Sequence, residues 1–358
     1  MKQSMNTKHM TRKDIAEMAG VSVSVVSRAL NNSGYVAAEK KAKILRLAEE
    51  HNYIPHPVAM SLQQRRTGQI LYYCKDLHNS FNIDLYYGMV EAARKRGYMA
   101  MINANVTFDH IRGAMVDGIL LQNEFFVRRY LETYGKNYFL PVVGASFGNL
   151  ETLSQSVPIV EWDIEGSMEL LIRYLRKRGH RRIAYAGPYG YQNPNCRTVV
   201  WKQLMEPLLG ERLRDYYLDT SASDSEGIMI ADYDSGATEW LNEETYNNKA
   251  REAIRILLER GLEATAIVAF NDEFAVGLIQ ALEQNGKHVP DDISIVSFDG
   301  SYRSMTSVPR LVSVGPDFRL YGEKMVDTLV RRIEGQRLHY FSRVKGVIHE
   351  GDSVRRLR

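Results

Sequence analysis

The sequence predicts a small all-α head joined to a larger α/β body, and three features carry that expectation. Residues 11–62 fit three short helical patterns with capping residues at their ends, while beyond residue 69 short β-rich runs alternate with amphipathic helices. Charge divides at the same place. Residues 1–66 hold eleven Lys and Arg against five Asp and Glu, a net +6, so the remainder of a chain with net charge +3 carries −3. At 358 residues the chain exceeds one ordinary core and should form two or three domains. Its 44% hydrophobic and 25% charged residues are a soluble globular profile. No apolar leader stands in MKQSMNTKHM, and no window approaches the roughly 18 apolar residues of a membrane span. Cys74 and Cys196 lie far apart without CxxC spacing, which suits buried thiols in a reducing compartment. A cytoplasmic protein with no membrane partner is expected.

In the head, TRKDIAEMAG places Thr11 as an N-cap with Asp14 three residues on, a capping box. Ile15, Ala16 and Ala19 fall on one face, and Gly20 ends the helix by taking a left-handed conformation. Ser22 can cap the next helix. VSVSVV alternates like a half-buried strand, but the caps, small residues and spacing together fit a helix in which Val21, Val26 and Leu30 form the buried stripe. Ser24, Ser27 and Arg28 then fall outside the stripe, and Val23 is an apolar side chain off the core face. Helix, tight Gly turn and helix make a helix-turn-helix, whose second helix lies in the major groove with its N-terminal residues against base edges. Val23 would meet a thymine methyl, Ser24 would hydrogen-bond a base, and Arg28 would read guanine or clamp a phosphate. A small bundle with incidental valines fits the pattern too. A third helix follows in AAEKKAKILRLAEEHNYIP, with Ile44, Leu45 and Ala48 as its stripe and Pro55 closing it.

In the body, strand candidates are 70–75, 98–104, 118–122, 141–146, 158–162, 182–187, 266–270 and 293–298, with helices between them such as 83–97 and 165–179. Such alternation implies parallel sheets, and about eight strands suggest two units with a ligand cleft between them, beyond the carboxyl ends of the strands. The chain has no GxGxxG after its first strand, no GxxxxGK[ST], no GxSxG and no HExxH, and its nine histidines show no metal-ligand spacing. No enzyme activity, cofactor or metal is expected. His180 should close a helix and lead into a strand.

GVSVSVVSRALNNSGYV, followed by HNYIPHPVAMSL, resembles the LacI/GalR family of bacterial transcription regulators, whose pattern runs roughly GVS, two variable residues, TVSR and LN, then Y-P and A-x-x-L. RKRGHRRIAYAGP, FNDEFAVGLIQALEQNGKHVPDDISIVSFD and DFRLYGE are similar to that family's ligand-binding core, itself similar to periplasmic sugar-binding proteins. The resemblance spans nearly the whole chain. It implies an all-α helix-turn-helix DNA-binding head at 10–55, a hinge helix or linker at 56–68, and a periplasmic-binding-protein-like α/β body of two parallel-sheet subdomains at 69–350 for effector binding and dimerisation. The N-terminal subdomain would take about 69–162 and 318–343, and the C-terminal one about 163–316 and 344–350. The DNA-contacting set would be Thr11, Ser22, Val23, Ser24, Ser27, Arg28 and Asn31 of the head. Val58, Ala59 and Leu62 of the hinge would join it, with Leu62 wedging into the minor groove and kinking the duplex. The effector set would be Arg197, Asn271, Asp299, Phe81 and Phe318, with Trp240 or Tyr246 supplying one more aromatic face. Carboxylate, amide and guanidinium groups with an aromatic face suit a polyol. Arg197 and Asp299 could equally form a structural ion pair.

Several positions depart from the family pattern. Val25 replaces a usual Thr, Ala37 a capping Ser, and His56 and Met60 the usual Asn and Arg of the hinge. The chain between Asn103 and Asp117 is too short for a full helix normally found there. Residues 219–246 are longer than usual and acidic, with no Lys or Arg; they would either flank the cleft and shape ligand choice or form a solvated hairpin. The sequence thus reads as a homodimeric repressor of a near-palindromic double-stranded DNA operator, controlled by a sugar or sugar derivative. A purine or nucleoside co-repressor is the alternative effector, and a solute-binding or catalytic α/β module the alternative of another class.

Overall fold

The computed structural model describes residues 10–30, 33–51, 53, 66–105, 107–108, 111–135, 140–148, 157–221 and 243–357. The chain divides into two units, Met1–Thr67 and Gly68–Arg358.

In the first unit, α1 (Arg12–Ala19) starts at a reciprocal cap. The Thr11 hydroxyl accepts from Asp14 N at 3.3 Å, and the Asp14 carboxylate accepts from Thr11 N at 2.8 Å. Gly20, at φ 69°, ends the helix and donates its amide to Ala16 and Glu17 carbonyls. α2 (Val23–Leu30) and α3 (Ala38–Glu50) follow; Ala37 at the start of α3 makes no side-chain capping bond. Ile15, Ala16, Val26, Ala29 and Ile44 form the core. One expected stripe position differs. Leu45 is exposed, and Leu47 packs on the core beside buried Ile44 and Ala48. Val21 and Leu30 are half-buried and pack against this core.

In the second unit, twelve strands among the described residues form two six-stranded sheets: β1 (Gln69–Tyr73), β2 (Met99–Asn103), β3 (Gly118–Leu121), β4 (Val142–Ser146), β5 (Ile159–Trp162), β6 (Ile183–Gly187), β7 (Tyr217–Asp219), β8 (Ala266–Ala269), β9 (Ser294–Phe298), β10 (Val312–Pro316), β11 (Phe341–Val344) and β12 (Gly346–His349). The first sheet runs β2-β1-β3-β4-β5-β11 and is parallel throughout. The second runs β7-β6-β8-β9-β10-β12, parallel except for β12 against β10. Each sheet reverses its winding once, between β1 and β3 and between β6 and β8, and ligands of such sheets sit at that switch point.

The helices of the body are α4 (Ser80–Lys95), α5 (Glu124–Tyr134), α6 (Ile164–Lys177), α7 (Cys196–Leu209), α8 (Glu243–Glu259), α9 (Asp272–Gln284), α10 (Tyr302–Thr306) and α11 (Phe318–Ile333). The chain passes between the two lobes three times, after Trp162, after Pro316 and at Lys345, so neither lobe is a continuous stretch of sequence. In the first lobe α4 and α11 cross at two glycines. A Cβ on Gly88 would lie 2.1 Å from the Phe318 carbonyl oxygen, and one on Gly322 would lie 2.4 Å from Gly88 backbone. Between β2 and β3 the described residues hold one 3-10 turn, Ile111–Gly113, and Phe108 fills the space against Tyr73 and Tyr130 at 4.7 and 5.2 Å between ring centroids. No described helix is long and apolar enough to cross a membrane.

Candidate effector cleft and nucleic-acid interface

The first turn of α2 turns outward because the apolar arc of so short a helix is set by its second half. Val23 is 45% exposed although apolar, and Ser22, Ser24 and Arg28 are exposed with it. The hydroxyls of Ser22 and Ser24 lie 2.9 Å apart, and Arg28 Nε donates to the Ser24 carbonyl at 3.4 Å. Thr11 is exposed at the start of α1, its side chain engaged with Asp14. Ser27 corrects the sequence reading: it is buried with Val26 and Ala29 rather than outside the stripe. At 100° per residue, positions 26, 27 and 30 share one arc, and the small Ser is taken inside it. Asn31, Val58, Ala59 and Leu62 lie outside the described residues, as do Pro55, His56 and Met60.

In the body, strand ends bring the site together. Trp162 ends β5, Phe147 follows β4, Phe270 and Asn271 follow β8, Asp299 follows β9, and Phe318 comes two residues after β10. Arg197 enters from the first turn of α7, where the Asn195 side chain accepts its amide at 3.0 Å. Its guanidinium donates to Asp299 Oδ1 at 2.9 Å and to the Phe270 carbonyl oxygen. The same group sits 4.7 Å from the Phe270 ring, 4.8 Å from Phe298 and 5.4 Å from Trp162. Trp162 stacks on Phe81 at 5.5 Å, and Phe81 meets Phe318 edge-on at 5.1 Å and Phe147 at 5.5 Å. Arg197, Asp299, Phe81 and Phe318 are therefore linked through a tryptophan that sequence reasoning left as an ordinary strand residue. Its position at the carboxyl end of a parallel strand is the signal that marks it, and the same signal marks Phe270 and Phe298.

Asn271 caps α9, accepting from Phe274 N at 2.9 Å, and donates to the Tyr246 hydroxyl at 3.3 Å. Tyr246 is buried; Trp240 lies outside the described residues, as do 222–242 of the acidic stretch. Three carboxyls crowd this end of the second lobe. Asp299 has φ 103°, a left-handed conformation that costs a non-glycine residue of order 1–3 kcal/mol and is retained where the surroundings fix it. Burial raises its pKa while the Arg197 charge opposes the rise. Asp272 accepts from Ser297 Oγ, Ser313 Oγ, Ser301 Oγ and Ser301 N at 2.5–2.8 Å. Burial, and then the charge of Asp299, push its carboxyl up to about 8. Glu273 is pushed up to about 7 by the same two causes in the same order, and its Oε2 is buried without a hydrogen-bond partner among the described residues. These residues set one guanidinium among aromatic rings and buried carboxyls, of which Glu273 alone has a buried oxygen with no hydrogen-bond partner among the described residues. Among the described residues no group of His, Cys, Asp and Glu has the arrangement to hold a metal ion.

Residues 11–56 match the family model described as bacterial regulatory proteins, lacI family, and residues 172–354 match the periplasmic binding protein-like domain. The chain is 26% identical over 333 residues to the ribose operon repressor of Halalkalibacterium halodurans, covering 90% of each protein. It is 27% identical over 333 residues to the HTH-type transcriptional repressor PurR of Aliivibrio salmonicida, covering 90% of this chain and 92% of that one. Among solved structures, the fold matches that of the lac repressor dimer bound to operator and the anti-inducer ONPF, with TM-score 0.72, 20% identity, and coverage of 97% of this chain and 100% of that one. A LacI family regulator from Enterococcus faecium with bound ribose matches with TM-score 0.61 and 19% identity over 81% of this chain and 100% of its own.

Proposed function

The chain belongs to the lacI family of bacterial regulatory proteins and is a DNA-binding transcriptional regulator; from that premise we propose which residues read its operator and its effector. The exposed first turn of α2 carries the DNA reading. Val23 is an apolar group held outward on a helix whose other valines face inward, and such a group gains by meeting a thymine methyl. Ser22 and Ser24 flank it with hydroxyls, and Arg28 supplies a phosphate or guanine contact one turn on. Leu62, with Val58 and Ala59, supplies the minor-groove wedge. Two copies of the chain read the halves of a near-palindromic operator, since a two-fold protein matches a two-fold site. Operator binding places the protein in the cytoplasm.

The cleft reads a small polar effector. Arg197, Asp299 and Asn271 face hydroxyl or ring-nitrogen groups, and Phe81, Phe318, Trp162 and Tyr246 supply flat apolar faces. A sugar or sugar derivative is the leading class, in line with a relative named a ribose operon repressor. A purine is the second, favoured by the stacked Phe81–Trp162 pair and by a relative named PurR. Both are bound without turnover, as relatives that are transcriptional regulators rather than enzymes suggest.

Fluorescence anisotropy on genomic fragments tests the DNA reading. Specific binding should weaken in Ser24→Ala by about 1–3 kcal/mol, and affinity should fall steeply between 50 and about 200 mM salt. Binding that ignores salt would overturn the reading. Thermal shift against pentoses, hexoses, phosphosugars and nucleobases tests the cleft, with Arg197→Met removing the shift produced by the true effector.

A further inference from the structure

Among the hydrogen bonds that cross between the lobes of the body, two are counterparts of each other. Glu273, in the first turn of α9 in the second lobe, accepts through Oε1 from the backbone N–H of Ser80 at 3.2 Å. Ser80 is the first residue of α4 in the first lobe. Asp84, one turn further along α4, accepts through Oδ2 from the backbone N–H of Tyr302 at 2.8 Å. Tyr302 is the first residue of α10 in the second lobe. Each lobe therefore offers one carboxylate to an amide of the other. The first amides of a helix have no acceptor within it, so something outside must satisfy them, and here a carboxyl oxygen of the facing lobe does so. Neither amide is served from its own lobe. The Asn79 side chain, which caps α4, is engaged with Phe81 N at 2.9 Å, and Ser301, which precedes α10, makes no side-chain capping bond and donates its hydroxyl to Asp272.

We propose that Glu273 and Asp84 form a reciprocal latch that sets the angle between the lobes, and so positions the two walls of the effector cleft. Every end of the latch adjoins a group of that cleft. Ser80 precedes Phe81, Glu273 lies two residues after Asn271, and Tyr302 lies three residues after Asp299. Phe81, Phe318 and Trp162 stand on the first lobe and Asn271, Arg197 and Asp299 on the second; the two bonds act beside the contacts that Trp162 makes across the same boundary with Arg197, Phe298 and Ser167 Oγ, and releasing them loosens one wall against the other. Glu273 and Asp84 act through this geometry as positioning residues. The consequence for ligand binding rests on the reading of the cleft as the effector site; the latch itself needs no effector. Its test therefore uses the full-length chain alone, and its failure is separate from any failure of the effector assignment.

The measurement is backbone amide hydrogen exchange, followed at Ser80 and at Tyr302 by NMR or by fragment mass spectrometry. Asp84→Ala removes the acceptor of Tyr302 and leaves Ser80 with its own. Ser80→Pro removes the donor to Glu273 and leaves Tyr302 with its own; proline is well tolerated at the first helical position, and Asn79 before it already has the extended ψ of 117° that proline requires. A latch links the two sites, so Asp84→Ala should speed exchange at Ser80 by about tenfold, and Ser80→Pro should speed exchange at Tyr302 by about as much, with the amides of β1 and β8 unchanged. Glu273→Ala should match Ser80→Pro, and Glu273→Gln, which keeps an acceptor, should stay within about twofold of the parent. Should either alanine variant fail to fold, Ser80→Pro still carries the measurement. If each variant changes only the amide whose bond it removes, the two contacts are independent caps and the latch is overturned.

Discussion

At the scale of single residues, the cleft combines functional groups that are costly to keep. Arg197 and Asp299 are 9% and 4% exposed, and two such charges are stable together only because each completes the other's hydrogen bonding. Removing one leaves the other buried and unpaired. Arg197→Ala should therefore lower the free energy of unfolding by about 3–5 kcal/mol, and adding Asp299→Asn should recover much of that without restoring effector binding. Denaturant melts of the two single variants and the double variant close the cycle. His180 makes a different demand. Its ring lies between Thr265 Oγ1 and the Arg355 carbonyl, both at 3.0 Å, with Nε2 donating to the carbonyl. Burial lowers its pKa below the ordinary 6.5, the Arg355 carbonyl opposes that, and the charges of Arg355 and Arg178 add to it. The unfolded chain then takes up a proton that the folded one refuses. Its contribution to stability is whole above about pH 6.5 and is lost as pH falls below that value. His349 is shifted the same way by burial. The urea midpoint should drop from pH 7 to pH 5, and His180→Gln should make that drop shallower.

At the scale of elements, seven of the eight interior strands were legible because strands covered on both faces read as unbroken apolar runs, whereas β10, buried throughout but interrupted by Ser313 and Gly315, was missed. All eight candidate runs are strands, with ends shifted by a residue or two. β7 and β11 are three and four residues long, and β11 is largely exposed, so neither gives a run that alternation or apolarity could single out. Arg197, Asn271 and Asp299 were singled out by motif, and the structure joins the first and last directly. Trp162 was not, since a tryptophan in an apolar strand looks the same whether it packs a core or closes a pocket. Glu273 and Asp84 were not legible either, because their amide partners lie 193 and 218 residues away in sequence. The α4–α11 crossing gives the sharpest prediction at this scale. Gly88→Ala would drive a methyl into the Phe318 backbone, where no flexible side chain can yield. It should destabilise the body by about 1–3 kcal/mol and loosen the position of Phe318. Gly113→Ala, with nothing within 4 Å of the added carbon, is the matched control and should be near neutral in the same melts.

At the scale of the whole molecule, we expect a partner subunit to cover the surface around Tyr302, where large apolar groups are exposed. Tyr302, Met305 and Val308 are 61%, 56% and 86% exposed, large apolar groups within seven residues of one another. Tyr87, also exposed, lies one turn along α4 from Asp84, whose carboxylate holds the Tyr302 amide. An apolar cluster of this kind on a soluble protein marks a surface that another protein covers. A second copy of the chain meets the requirement that both half-sites of a palindrome be read at once. Asp299, three residues before this cluster, is a proposed effector contact, so under that proposal a shift at the effector site reaches this surface with little intervening chain. Binding at the two places is then linked, and the linkage must act equally in both directions. Charging this surface separates its consequences. Met305→Asp with Val308→Asp should yield a monomer by sedimentation that still unfolds cooperatively, since neither residue belongs to the core, while its effector thermal shift changes in size as the linkage to the subunit contact is lost. The monomer contacts one half-site, so the dependence of log affinity on log salt should fall to roughly half the slope of the parent as half the phosphate contacts go. A variant that stays dimeric, or a monomer that keeps the parental salt slope, would place the subunit contact elsewhere on the body.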